Sequence, residues 1–166
     1  MLVTVTLRTE LGDITREPVD AIVNAANGRL ARGGGVCGAI FAAAGPELDA
    51  ACAALGGCET GDAKVTPGFR LPARWIVHAV GPVWHGGRHG ERALLASCYH
   101  RAVEVARDVG ARSIAFPAIS TGIFGYPKRA AAEVVVETLQ ECAGDLDIVL
   151  VAFDEETLRI YDELLA

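Results

Sequence analysis

A three-layer α/β domain, one sheet between two layers of helices, is the architecture this sequence predicts. Three observations point to it. Short apolar runs alternate along the chain with longer segments of helical period. Most of those runs are nearly continuous, the pattern of strands covered on both faces. The least ordinary stretches, rich in glycine, asparagine and hydroxyls, follow the runs directly, where the carboxyl ends of sheet strands gather ligands.

The elements follow in order. LVTVTL (residues 2–7) alternates and reads as a strand; DAIVNAA (20–26) is nearly continuous and reads as a second. GGGVCGAIFAAAG (33–45) reads as a helix that breaks at Gly45-Pro46, and PELDAACAAL (46–55) as another, with Pro46 suited to a first turn. RWIVHAV (74–80) is a buried strand. Glu91 to Val109 is a long helix, because Leu95, Tyr99, Ala102, Val103 and Ala106 share one face. SIAFPAI (113–119) is a strand that ends in the loop STGIFGYP. Lys128 to Cys142 is a helix with Ala131, Val134, Val135, Thr138 and Leu139 at helical spacing. DIVLVAF (147–153) is a strand, and Glu155 to Leu165 closes the chain as a helix. No repeat, linker or low-complexity tract interrupts this order, so residues 1–166 are read as a single domain.

Composition narrows the function classes. The chain has 166 residues, 51% of them hydrophobic, enough to bury a core without disulfides or a structural metal. A net charge of -6 argues against a generic nucleic-acid binder, which would carry a basic face. It leaves room for a small anion held by backbone amides. The five cysteines, Cys37, Cys52, Cys58, Cys98 and Cys142, are odd in number and form no CxxC pair, so they read as free thiols in a reducing compartment. The first residues, MLVTVTLRTELGD, hold no apolar stretch with a cleavage site, and no run approaches the ~20 apolar residues of a membrane span. The expectation is a soluble, cytoplasmic monomer with no membrane contact.

Two glycine-bearing loops carry the chemistry. Gly33-Gly34-Gly35 precedes a helix, whose first N–H groups are unpaired and sit at the positive end of the helix dipole. Glycine lets a ligand reach that backbone, which makes an anion site without lysine or arginine. Ser120-Thr121-Gly122-Ile123-Phe124-Gly125 follows a strand and carries two glycines and two hydroxyls. A lone glycine triplet reads as a plain loop; two such loops suit a pyrophosphate gripped from both sides. The chain lacks GxxxxGK[ST], and no GxGxxG opens its first βα turn, so a Walker-type hydrolase and a standard dinucleotide fold are disfavoured. Other residues admit two readings on chemistry alone. Asp13 is a turn cap or an acceptor for an amine. Phe124 and Phe153 are core residues or platforms for a ring. Trp84 and Tyr126 rim a cleft or simply pack. Asn24 reads as a structural tie, and His78, inside an apolar strand, as a satisfied core residue. His85 and His89, in WHGGRHG, lack a carboxylate or thiol at ligand spacing, so the loop reads as solvated and no metal ligand is assigned.

GDIT (12–15), VDAIVNAAN (19–27), GGGV (33–36), VHAVGPVW (77–84) and FPAISTGIFGYP (116–127) together resemble the macrodomain family, most closely its MacroD-like branch that processes ADP-ribose. The match runs through nearly the whole chain in order. The resemblance implies a mixed, mostly parallel sheet between helices and a cleft for ADP-ribose. Carried over position by position, it implies that Asp13 accepts from the adenine amino group with Ile14 beside it, and that Phe153 packs on the adenine ring. It implies further that Gly34, Gly35 and Val36 line the diphosphate and distal ribose, that Ser120, Thr121, Gly122, Ile123 and Phe124 wrap the other side, and that Asn27 bonds a distal ribose hydroxyl. Asn27, Gly35, Cys37 and Phe124 then surround the reacting carbon. The implied activity is hydrolysis of ADP-ribosyl esters, either removal of mono-ADP-ribose from acidic side chains of proteins or deacetylation of O-acetyl-ADP-ribose, with no metal or redox cofactor.

The pattern departs from the branch at two positions. Where active MacroD-like proteins read GGGVDGAIH, this chain reads GGGVCGAIF, with Cys37 in place of an aspartate and Phe41 in place of a histidine. That aspartate is assigned to positioning a water. Viral macrodomains with GVC or GVA at this place look similar and still remove ADP-ribose, with a water held by the substrate's phosphate and the loops. Cys37 itself reads as a small filler rather than a nucleophile, since a bound diphosphate opposes a thiolate and no histidine is placed to take the proton. Three activities therefore stay open for one cleft: an ester hydrolase, a non-catalytic ADP-ribose reader, and a weak phosphatase on ADP-ribose 1″-phosphate.

Overall fold

The computed structural model describes residues 6–166. Its elements are β1 (Thr6–Leu11), a 3-10 turn (Ile14–Arg16), β2 (Ala21–Ala25), α1 (Gly35–Ala44), α2 (Glu47–Ala54), β3 (Ala63–Pro67), β4 (Trp75–Ala79), α3 (Glu91–Asp108), β5 (Ser113–Phe116), α4 (Lys128–Cys142), β6 (Asp147–Ala152) and α5 (Glu155–Leu165). Among the described residues the strands form one sheet in the order β1-β6-β5-β2-β4-β3. Every neighbouring pair is parallel except β3 with β4. No single described helix is long and apolar enough to cross a membrane.

Side chains alternate across each strand, and here both faces are apolar. Ile148 and Leu150 of β6 join Val23, Val77, Phe116, Tyr99 and Leu139 in a core under α3, α4 and α5. Val149 and Val151 turn the other way, with Ile22, Ile76, Ile40, Phe41 and Leu48, under α1 and α2. The two cores make the predicted three layers. The five helix residues predicted to share a face of α3 are all buried, and on α4 only Thr138 is less than fully covered.

One expected strand lies mostly outside the described residues, and one observed strand went unread for a physical reason. The strand expected over residues 2–7 falls mostly outside the described residues; its described end opens β1, which continues to Leu11. The strand β3, AKVTP, has no sequence counterpart above. It is short, half-exposed and closed by Pro67, features that an edge strand tolerates and that blur its signature.

Beside β1, Glu17 ends the 3-10 turn and is buried. Burial, then a hydrogen bond shared with Glu10 and that neighbour's charge, push its carboxyl up to about 7. An acid whose pKa is raised by folding stabilises the fold below its unfolded value near 4.5, and the contribution is lost as pH rises through about 7. The expected result is a chain less stable at pH 8 than at pH 5.5 through this group. Glu17→Gln should flatten that slope in denaturant titrations; an unchanged slope would refute the assignment.

Candidate functional site

Because five of the six strands run in one direction, their carboxyl ends meet along one edge of the sheet. A cleft of about 1070 Å³ opens there. Leu11 and Gly12 reach it from β1, Ala25 to Asn27 from β2, Gly81 from beyond β4, Pro117 to Phe124 from beyond β5, and Phe153 from beyond β6. All the predicted ligand-binding residues, and Cys37, lie on its walls.

The first glycine loop forms one wall. Gly34 caps α1 with its backbone alone, and Gly35 has φ 56°, a conformation side chains rarely adopt. The N–H groups of Gly34, Gly35, Val36 and Cys37 have no partner among the described residues. They are the unpaired donors of a helix start, at its positive end. Gly38 closes this loop onto the helix: a Cβ there would stand 2.6 Å from the Gly33 carbonyl oxygen.

The second loop forms the facing wall, and its donors are not the hydroxyls. Thr121 Oγ1 donates to the Ala118 carbonyl at 2.9 Å, while Ser120 Oγ is buried, unpartnered and directed at Gly81. The side chains that looked like ligands are thus turned into the protein. What is left unpaired is backbone: Gly122, Ile123 and Phe124 have N–H groups with no partner among the described residues. Ser120 adopts φ 69°, at a cost of about 1 kcal/mol for a non-glycine residue. Gly81 makes that turn fit, since a Cβ there would lie 2.2 Å from Ser120 Oγ and 2.5 Å from Ile119 Cγ2.

The two asparagines have different surroundings. Asn27 Oδ1 accepts from the N–H groups of Arg29 (3.2 Å) and Ala31 (3.1 Å), and its Nδ2 donates to the Ala31 carbonyl at 2.9 Å. Its amide thus shapes the 27–31 turn and keeps one N–H for a ligand. Asn24 is buried, and its Nδ2 reaches His78 Nδ1 at 3.1 Å and Cys37 Sγ at 3.7 Å. His78 is held neutral, with burial lowering its pKa to about 4. Its Nδ1 then accepts from Asn24 and its Nε2–H points to Thr66 Oγ1 at 2.9 Å. The Cys37 thiol donates to the Ala31 carbonyl at 3.7 Å. Among the described residues, the hydrogen-bond partners of that thiol are the Asn24 amide and the Ala31 carbonyl, neither of them a base. Phe41 faces away from the cleft, buried in the α1 core with the Arg32 guanidinium 5.6 Å from its ring centre.

At the other end, Asp13 caps the 3-10 turn. Its Oδ1 accepts from Thr15 Oγ1 at 2.7 Å and Thr15 N at 2.9 Å, and these bonds hold its carboxyl below the usual range. The carboxylate is charged, and Oδ2, 3.8 Å from Arg16 Nε, is not spent on Thr15. Phe153 is 86% exposed, which rules out the core reading for it, and Ile123 is 93% exposed on the facing rim. Asp154 caps α5, accepting from Thr157 N at 2.7 Å. Among the described residues, Lys128 is the one cationic side chain on the walls, and it is paired with Asp154 at 3.2 Å and Glu156 at 3.1 Å. Sequence reading missed Gly81, Lys128 and Thr157. Only the D-x-x-T spacing of a helix cap marked the last. Trp84 and Tyr126 pack on each other, with ring centres 4.6 Å apart, rather than lining the cleft.

Comparison with known proteins agrees with this geometry. The sequence profile described as Macro domain matches residues 23–135. A macro domain-containing protein of Ralstonia nicotianae is 55% identical over 163 residues, covering 98% of this chain and 95% of that one. A Citrobacter rodentium protein named O-acetyl-ADP-ribose deacetylase is 51% identical over 162 residues, covering 93% of this chain and 92% of its own. Among solved structures, an Oceanobacillus iheyensis macrodomain variant with ADPR is similar at a TM-score of 0.92 and 41% identity, over 99% of this chain and 95% of that one. A Trypanosoma brucei macrodomain in complex with ADP-ribose is similar at 0.88 and 38% identity, over 96% and 69%. With a six-stranded mixed sheet, helices on both faces and the cleft at its strand ends, the chain belongs to the macro domain family.

Proposed function

We propose that this protein binds ADP-ribose and hydrolyses ADP-ribosyl esters, either O-acetyl-ADP-ribose or mono-ADP-ribose on acidic side chains of proteins. One observation carries the reading: backbone N–H groups left unpaired in two loops belong to residues that line one cleft, matching a diphosphate that needs donors from both sides. The exposed Phe153 and the charged Asp13 fit a purine with an exocyclic amine at one end. Asn27 and Phe124 fit a ribose at the other. Names of relatives support both binding and hydrolysis. The Oceanobacillus structures include variants at an asparagine, at a glycine seven residues on and at an aspartate three further, the spacings that separate Asn27, Gly34 and Cys37.

In this reading a water held by the substrate's diphosphate and the two loops attacks the ester. The ester C–O bond breaks, the free acid leaves, and ADP-ribose remains. Rigid loops supply most of the effect by positioning. One feature favours a second reading, a reader that holds ADP-ribose without cutting it. Cys37 stands at the aspartate's place, and its thiol is spent on the Ala31 carbonyl. Incubation with O-acetyl-ADP-ribose and a glutamate-modified protein, with both products followed, separates the two. Turnover is expected, reduced at least tenfold in Asn27→Ala, which loses its ligand N–H and its turn. Tight ADP-ribose binding with no turnover, regained in Cys37→Asp, would establish the reader instead.

A further inference from the structure

We infer that Glu91 is a positioning residue for the distal end of this cleft: its buried carboxylate holds the 85–89 loop, and that loop, through Trp84, sets where Phe124 stands. The inference rests on the reading above, in which Phe124 lies against the distal ribose.

Glu91 is 1% exposed, and among the described residues its carboxylate forms no ion pair. Its charge is met by backbone donors instead. Oε2 accepts from His85 N at 2.9 Å and Gly87 N at 2.8 Å, and Oε1 accepts from His89 N at 2.6 Å. The chain curls around it through Gly86, Gly87 and Gly90, whose φ values are 96°, 89° and 78°. Burial pushes this carboxyl up, but the N–H groups of His85, Gly87, Glu91 and His89 outweigh it and hold it at about 2, so the charge is present throughout the working range. The loop that reads as solvated from sequence has exposed residues whose backbone is hydrogen-bonded to Glu91.

Direct contacts lead from this loop to the cleft. The Trp84 ring lies against Gly87, where a Cβ would come within 2.8 Å of its Cη2. The same ring packs on Tyr126. Trp84 N donates to the Phe124 carbonyl at 2.8 Å. The start of the second loop has bonds that do not pass through Trp84 or Tyr126: Thr121 donates to the Ala118 carbonyl from both its backbone N and its Oγ1. Loosening the 85–89 loop therefore frees Phe124 more than the N–H groups nearer Ser120.

Glutamine at position 91 keeps the shape but can offer only one acceptor oxygen, and its NH₂ would oppose an N–H donor. ADP, which ends at the diphosphate, is the internal control for ADP-ribose, which continues to Phe124. Calorimetry should find that Glu91→Gln weakens ADP-ribose about tenfold and ADP, which shares only the Phe124 N–H with this tether, about threefold or less. Glu91→Asp, which keeps the charge, should fall between. Trp84→Leu, made at the other end of the tether, should show the same selectivity and carries the test if Glu91→Gln does not fold. Hydrogen exchange in the absence of ligand should show the Trp84 and His89 amides protected in wild type and released in Glu91→Gln. Equal weakening of both ligands, or of neither, would overturn the positioning role. Wild-type protein that fails to bind ADP-ribose would overturn the functional reading instead, while the amide exchange would still report on the tether.

Discussion

Gly34→Glu is expected to fold with an unchanged melting temperature and to bind ADP-ribose at least about 100-fold more weakly, because a like charge set against a diphosphate costs several kcal/mol. The fold should tolerate the change because Gly34 has φ -89° and a Cβ there would meet nothing within 4 Å. The new side chain then projects from the cleft wall, beside the N–H groups of Gly35 and Val36. Calorimetry with ADP-ribose and a thermal melt on the same sample check both halves. Binding within a few-fold of wild type would remove the diphosphate from this loop.

Gly38→Ala, four residues on, should behave in the opposite way. Helix propensity alone predicts that alanine stabilises an interior helix position by about 1 kcal/mol over glycine. Here the added Cβ would lie 2.6 Å from the Gly33 carbonyl oxygen, a backbone atom that cannot move without carrying the glycine loop. Overpacking costs about 1–3 kcal/mol and at the upper end exceeds the propensity gain. The expected net is a loss of about 2 kcal/mol in denaturant unfolding, with ADP-ribose affinity down about tenfold as the loop is displaced. A variant as stable as wild type would show that the loop yields freely, and rigid positioning would lose its support.

These two glycines mark the limit of sequence reading at the site. GGGVCG announces a helix start with close backbone approach, but it does not say which glycine faces the ligand and which faces another carbonyl. That difference lies in the path of residues 33–38 over the first turn of α1. Ser120 and Thr121 show the same limit from the other side. Their hydroxyls suggest ligand donors, yet Thr121 is spent on Ala118 and Ser120 is turned to Gly81. Gly81 lies 39 positions from Ser120 along the sequence, and no local pattern links them. Glu91 could be read only as the first residue of a helix until the 85–89 loop was seen to curl around its carboxylate.

At the level of the fold, periodicity made the long helices and most of the buried strands legible, because a face repeated over ten or more residues is a local signal that burial then obeys. The edge strand β3 escaped, being too short and too exposed to repeat anything. By itself, then, the amino-acid sequence determined the layers, the order of the helices and buried strands, the two glycine loops and the chemistry available at each position, all of which are set by nearby residues. Only the tertiary structure decided which polar groups are already satisfied and which are left for a ligand. Cys37 donates to Ala31, His78 is neutral against Asn24, and Asn27 shapes its own turn, while the N–H groups of both loops remain unpaired. A hydrogen bond is a matter of ångströms between atoms, and those distances exist only once segments far apart in the chain have packed together.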